Sequence, residues 1–319
     1  MNRSSADPRA FRAPLALLCA TALLACGGDD PAAEPGPDPT PTPDAGAPEG
    51  DVMTPPPETA DRPIGGERPR TTVYIARQFI FEEIDDDGVS AGFNLDAHVT
   101  SGGGEAGCGQ PDFIDPDGTE GIDNQFGTLL PIIASLGGAA LPTLVQSAIN
   151  EGDLLLLVTF DNVDDWMNDD NITITISRGV GDPIIGADGM LTSWQTFGQD
   201  AAEPINVVAD GRIVDGVLTA GPASLDLPVF VFTFRFDVTL HGSMIRGQMS
   251  PEGPLDLLTG GSITLDNVMD IARTDGIQAI IPATIESLGP QLTDMTVFEP
   301  CDSFSASARL VLSPAWMLP

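Results

Sequence analysis

The residues best suited to chemistry are carboxylates crowded into one stretch, Asp112-Phe113-Ile114-Asp115-Pro116-Asp117-Gly118-Thr119-Glu120-Gly121-Ile122-Asp123-Asn124. Alternating acids ahead of a glycine turn can converge hard oxygens on one point, as a calcium ion with six to eight oxygen ligands requires. The spacing therefore points to calcium, with Asp115, Asp117 and Asp123 as its ligands. Of two further acidic groups, Glu82 to Gly88 reads as a solvated turn, with a supply of ligands as its alternative, and Asp161, Asp164, Asp165, Asp169 and Asp170 surround Trp166, which is expected in the core or a lid, with a sugar-binding platform as its alternative. A carboxylate pair for glycoside hydrolysis is compatible with so many acids, since only their separation in space defines such a pair. His98, two residues after Asp96, reads as a structural histidine. The chain has no Gly-x-Ser-x-Gly elbow, no His-Glu-x-x-His, no phosphate loop and no Gly-x-Gly-x-x-Gly after a strand.

The loop resembles the Asp-rich loops of thrombospondin type 3 repeats and, more distantly, EF-hand loops. Asp115, Asp117 and the pair Asp123-Asn124 match in kind. Gly121 replaces a middle aspartate, the gap from Gly118 to Asp123 is one residue short, and no glutamate closes the loop. A second resemblance lies at the start of the chain. Arg3, Arg9 and Arg12 precede an uncharged run from Ala13 to Ala25 that contains five leucines, the charged and apolar regions of a secretory signal. Thirteen residues at about 1.5 Å each span about 20 Å, less than the hydrocarbon core of a bilayer. The run ends in Leu23-Leu24-Ala25-Cys26, which resembles the lipobox of bacterial lipoproteins. That resemblance implies a signal peptide over residues 1–25, cleavage after Ala25, and acylation of Cys26, including palmitate-type chains. Several chains together anchor stably where one does not. Gly27-Gly28 stand where an aspartate would signal inner-membrane retention in some bacteria, so the resemblance favours the outer membrane.

With Cys19 removed in the signal and Cys26 acylated, Cys108 and Cys301 remain. In an oxidising compartment this pair is expected to join, closing a loop worth about 5 kcal/mol in the chain-entropy model. Residues 26–70 are Pro, Ala, Gly, Asp, Glu and Thr with almost nothing to bury, and read as a disordered, partly polyproline tether. From Thr71 to Pro319 runs a segment rich in Val, Ile, Leu and Phe with no second linker, expected to form a single extracytoplasmic domain. Beyond residue 71 it carries 36 acidic residues against 7 arginines, and the chain has no lysine. Such a charge repels nucleic acid and anionic lipid.

The elements that must position these groups are mostly strands. Val229 to Leu240 is apolar at its even positions, the period of a half-buried strand, although every alternate position up to Val231 is apolar too. His241-Gly242 is expected to turn the chain into Ser243 to Met249, and Asp210-Gly211 to turn Ile205–Val208 into Ile213–Val214. Further strands are expected at Thr72–Ile84, Gly92–Val99, Asp153–Asn162, Asn171–Arg178, Gly261–Leu265 and Phe304–Leu312. Helices are expected after Asp123 or Asn124 as cap, from Leu141 to Ile149, over Asp266–Arg273, and over Ile277–Leu288 before Gly289-Pro290. The uncharged stretch Phe126–Ile149 is long enough for a membrane span, but its prolines, glycine pair and acidic flanks argue against one. The fold class is therefore mainly antiparallel β, a sandwich or curved sheet, with inserted helices (α+β). The functional expectation is a lipid-anchored cell-envelope lipoprotein whose domain binds a surface protein or glycan without catalysis, possible calcium rigidifying it; the rival is the glycoside-type hydrolase.

Overall fold

A computed structural model describes residues 71–104, 106–136, 141–231, 234–274 and 278–318. The signal peptide, Cys26 and the tether, residues 1–70, lie outside the described residues. The rest is a β-rich domain, and its elements follow one simple rule of connection.

Eleven strands are present among the described residues. They are β1 (Thr71–Phe81), β2 (Phe113–Ile114), β3 (Glu120–Ile122), β4 (Leu156–Asp161), β5 (Asp169–Val180), β6 (Gln195–Gln199), β7 (Ile205–Val214), β8 (Val217–Val231), β9 (Phe234–Ser250), β10 (Gly253–Thr264) and β11 (Ser303–Met317). Four helices interrupt them: α1 (Phe126–Ser135), α2 (Leu141–Glu151), α3 (Leu265–Ala272) and α4 (Ile280–Leu288). Around the main sheet β1, β4, β5, β7, β8, β9, β10 and β11 pair in chain order, every pair antiparallel, and β11 closes on β1 with Val73 opposite Ala315. The sheet is therefore a closed, eight-stranded, up-and-down ring. The expected antiparallel α+β fold is met, and its curvature goes as far as closure, so that each of the eight strands has a partner on both sides over part of its length.

Alternation along the strands decides what fills the ring. Ile174 and Ile176 on β5, Val208 and Ile213 on β7, Leu218 and Leu225 on β8, Ile245 on β9, Leu257 on β10 and Leu310 and Leu312 on β11 are all buried in one cluster. Their outward neighbours on β7, Ile205, Val207 and Val214, are more than half exposed. An eight-stranded barrel is just wide enough for side chains to fill it. Tyr74, Phe160 and Trp166 meet edge to face in this core, with ring centroids 5.5 to 6.4 Å apart. Trp166 is thus a core residue, as its sequence context suggested. β4 from Leu156 to Phe160 and β1 at Tyr74–Ala76 are buried on both faces, and Leu191 and Phe197 of the β5–β7 connection belong to the same cluster as Ile75, Leu155 and Leu157.

The two ends of the barrel differ. At one end the connections are short: residues 162–168, Asp215-Gly216, and Pro251-Glu252. At the other end sit the long insertions, residues 82–155 with β2, β3, α1 and α2, and residues 265–302 with α3 and α4. A second core forms there, where Leu129 of α1, Val268 and Met269 of α3 and Ile285 of α4 pack with Ile263 and Phe304. No helix among the described residues is long and apolar enough to cross a membrane; Phe126–Ile149 divides into α1 and α2.

Several expected turns move. Asp210-Gly211 does not reverse the chain: β7 runs through it with an irregularity in its register to β5 at this point. The reversal comes at the next Asp-Gly, Asp215-Gly216, with φ of 50° and 77°, the signature of a two-residue hairpin. Likewise β9 runs on through His241-Gly242, with shifts in register to both neighbours nearby. The expected single strand Val229–Leu240 is two strands, since Val231 pairs with Phe234 and residues 232–233 between them lie outside the described residues. Gly92–Val99 is not a strand. Its backbone donors are taken by carboxylates instead, Leu95 and Asp96 N–H by Asp123 and His98 N–H by Asp96.

Candidate functional site

The crowned end holds the acidic loop from Asp112 to Asn124, and a disulfide ties its two insertions together, whereas the acidic run around Trp166 lies at the short-turn end. Cys108, in a short 3-10 turn at Ala106–Gly109, is bonded to Cys301 beside the start of β11, with Cα atoms 5.6 Å apart. The expected pairing is met.

The acidic loop is the turn of a small hairpin, β2 to β3, and its carboxylates serve three separate tasks. Asp115 is buried and pairs at 2.6 Å with Arg246 of β9, whose guanidinium also stands 5.5 Å from the centre of the Phe93 ring. Its other oxygen accepts from Asp117 N–H. Asp117 is in solvent, and the Thr119 hydroxyl, together with the Thr119 N–H that donates to it at 2.8 Å, holds the carboxyl below its ordinary range. Asp123 points the other way, into the domain, where it accepts from Leu95 and Asp96 N–H. Among the described residues no group of three or more His, Cys, Asp or Glu is arranged to hold a metal. A calcium ion on the expected ligands Asp115, Asp117 and Asp123 would have to draw Asp115 away from Arg246 and turn Asp123 out of the core.

Asp123-Asn124-Gln125 is instead a seam. Asn124 donates to the Glu82 carbonyl and to Ser90 Oγ and accepts from Ser307 N–H; Gln125 N–H donates to Ser305 Oγ. Helix α1 therefore starts after Gln125 without a side-chain cap, because the two expected caps are committed elsewhere, Asp123 to the Leu95–Asp96 backbone and Asn124 to β11. Ser305 in turn donates, by backbone and hydroxyl, to the buried Asp294. Burial, with the neighbouring acids Asp96 and Asp112 adding to it at Asp123 and Asp96 at Asp294, pushes both Asp123 and Asp294 up to about 7. Asp302 behaves oppositely. Burial pushes it up, but N–H groups of Val297, Phe298 and Glu299 and the Ser303 hydroxyl outweigh that and hold it at about 2.

An open groove of about 840 Å³ lies at this end between the upper half of β1, α1 and α2. Its walls are mainly apolar, among them Ile80, Phe81, Leu130, Ile133 and Leu141, with Glu83 and Asp188 at its borders. It exists because β4 is short: β4 pairs with β1 only from Thr71 to Ile75, and beyond that α2 takes its place, Gln146 donating to the Arg77 carbonyl. Neither Asp123 nor Asp294 lines this groove. Asp294, Arg246 and the groove carry no sign in the sequence, since Asp294 is one acid among many until the fold buries it against Ser305, Arg246 meets Asp115 across 131 residues, and the groove is made by the shortness of one strand.

The barrel and its crown define a class of architecture, a filled up-and-down β-barrel with one elaborated end. No family model matches the chain, and neither a curated protein nor a solved structure matches it.

Proposed function

We propose that the chain is a lipid-anchored cell-envelope protein whose barrel is a non-catalytic binding module, and that the groove between β1, α1 and α2 receives an apolar segment of a partner protein. The groove itself supports this reading most. Binding sites are concave and mainly apolar, with volumes of roughly 300 to 1,000 Å³. Of its polar side chains, Gln146 and Asp188 are already bonded to Arg77, which leaves Gln78, Glu83 and Thr143 among mainly apolar walls and favours a protein segment over a glycan. The rival hydrolase needs a protonated and an ionised carboxyl facing one cleft; of the groove's two acids, Glu83 and Asp188, the second accepts from Met190 N–H and is paired with Arg77, which together hold it below its ordinary range and unfit as an acid, and the two raised acids do not line the groove.

Ile80 tests the site, because it lines the groove yet is more than a third exposed, so that Ile80→Glu adds a charge without opening the core. Peptides enriched from a displayed random library on the wild type are expected to be apolar and to bind Ile80→Glu at least tenfold more weakly. Equal binding to both proteins would remove the groove from the proposal. The anchor has its own test. An alkyne fatty acid fed to cells should label the wild type and not Cys26→Ser, and equal labelling would dismiss the lipobox reading.

A further inference from the structure

Two of the three tryptophans stand in the open. Trp194 is 61% exposed and Trp316 56%, with ring centroids 5.6 Å apart and planes inclined by 38°. The fold builds this pair deliberately into one surface. Trp194 N–H donates to the Pro314 carbonyl, and β6 then runs parallel to the last residues of β11, Gln195 opposite Ala315 and Thr196 opposite Trp316. Trp194 holds φ at 65°, a left-handed conformation that costs a bulky residue energy. The Gln195 amide bonds both backbone groups of Ile184 and the Thr192 carbonyl, which fixes Ile184 alongside. Ile184 and Leu318 are themselves 65% and 56% exposed. A group of large apolar side chains left in water marks a contact surface.

What it contacts follows from its flanks and its place. Stacking a sugar needs free polar partners around the rings; here the Gln195 amide is spent on the Ile184 and Thr192 backbone, and the small hydroxyls of Ser193 and Thr196 are set against the larger apolar side chains of Ile184, Met317 and Leu318, a balance that favours an apolar contact. The pairing of Val73 with Ala315, continued two positions, brings Thr71 level with Met317 at the short-turn end of the barrel. The chain that precedes Thr71, and that carries Cys26 45 residues earlier, therefore joins the barrel beside the patch. Tryptophan is the group that settles at the headgroup level of a bilayer interface.

We infer that the Trp194–Trp316 surface rests on lipid, seating the barrel by its β6–β11 flank on the membrane that holds its anchor. The inference rests on the Cys26 reading for what brings the bilayer near. It also specifies the lipid. Thr71 hydroxyl donates to Asp161 on its other side, where the acidic residues Asp164, Asp165, Asp169 and Asp170 follow, so neutral headgroups are favoured over anionic ones.

The test uses the mature chain from residue 26 with Cys26→Ser, so that no acyl chain contributes, mixed with phosphatidylcholine vesicles bearing brominated acyl chains. Tryptophan emission is expected to be quenched, and Trp194→Phe/Trp316→Phe, which keeps only the buried Trp166, is expected to be unaffected. Leu318→Asp, which keeps all three reporters, should partition at least tenfold more weakly, as should the parent on vesicles containing one-third phosphatidylglycerol. Absence of quenching in a cooperatively melting parent would overturn the inference. So would quenching that ignores Leu318→Asp, a vesicle-free dimer that shields the pair, or protection of the pair by soluble oligosaccharides. Because the chain used here cannot be acylated, failure of fatty-acid labelling at Cys26 would strike the anchor alone and leave this result to decide the surface.

Discussion

At the scale of single residues, the crown is governed by acids whose protons do structural duty. Asp123 and Asp294 sit at about 7 in the folded domain, against an unfolded value near 4. Between those limits the folded state holds more protons than the unfolded one. Their stabilisation is thus complete below about 4 and is lost as pH rises through about 7, at up to roughly 1.4 kcal/mol per pH unit for each group. Asp302, held at about 2, contributes stability above about 4 that is lost only as pH falls through about 2. The melting midpoint is therefore expected to be highest near pH 4 to 5 and to fall towards 7. Asp294→Asn, which keeps an acceptor for Ser305 and has no proton to lose, should flatten that fall, and a wild-type slope in this variant would show that other groups govern it. Little of this was legible beforehand. The spacing of Asp115, Asp117 and Asp123 is the same whether they surround a cation or part company, and what parts them is Arg246, 131 residues away in sequence.

At the scale of elements, the sequence showed strand positions well and reversals poorly. β1, β4, β5, β11 and the helices α2 and α3 lie close to where periodicity put them. Asp210-Gly211 and Asp215-Gly216 are chemically equal turn signals, and only the register to β5 and β8 makes one an irregularity within a strand and the other a hairpin. The disulfide was legible because two cysteines admit one pairing. It joins the insertion after β1 to the one before β11 across 193 residues, a loop worth about 5 kcal/mol in the chain-entropy model. Replacing Cys108 and Cys301 together by serine is expected to lower the unfolding free energy by about 2 to 5 kcal/mol. In hydrogen exchange the loss should appear first at residues 106–125 and 289–302, with the barrel strands protected. Uniform loss across the barrel would mean that the crown and the ring unfold as one unit.

At the scale of the whole molecule, closure and charge act against each other. The ring satisfies every strand with two neighbours over part of its length, and the surface around it carries a net charge near −29 beyond residue 71. Self-repulsion of that size destabilises a compact state, and salt relieves it once the screening length falls to about 10 Å. Raising sodium chloride from about 10 mM to about 0.1 M should lift the midpoint at pH 7, and a midpoint that falls would assign control to the paired charges, such as Arg309 with Glu82 and Asp256.

The position of β1 has one more consequence, and it is mechanical. A partner held at the crown and an anchor pulling at Thr71 would load β1 along its own axis, between β4 on one side and β11 on the other. Hydrogen bonds across strands so loaded are sheared together and not peeled one at a time. Force would then meet the ladder of Val73 to Phe81 with β11 as a single cooperative barrier, governed by the unfolding rate and not by the equilibrium stability. A protein on a leash would be strongest along the line of the leash.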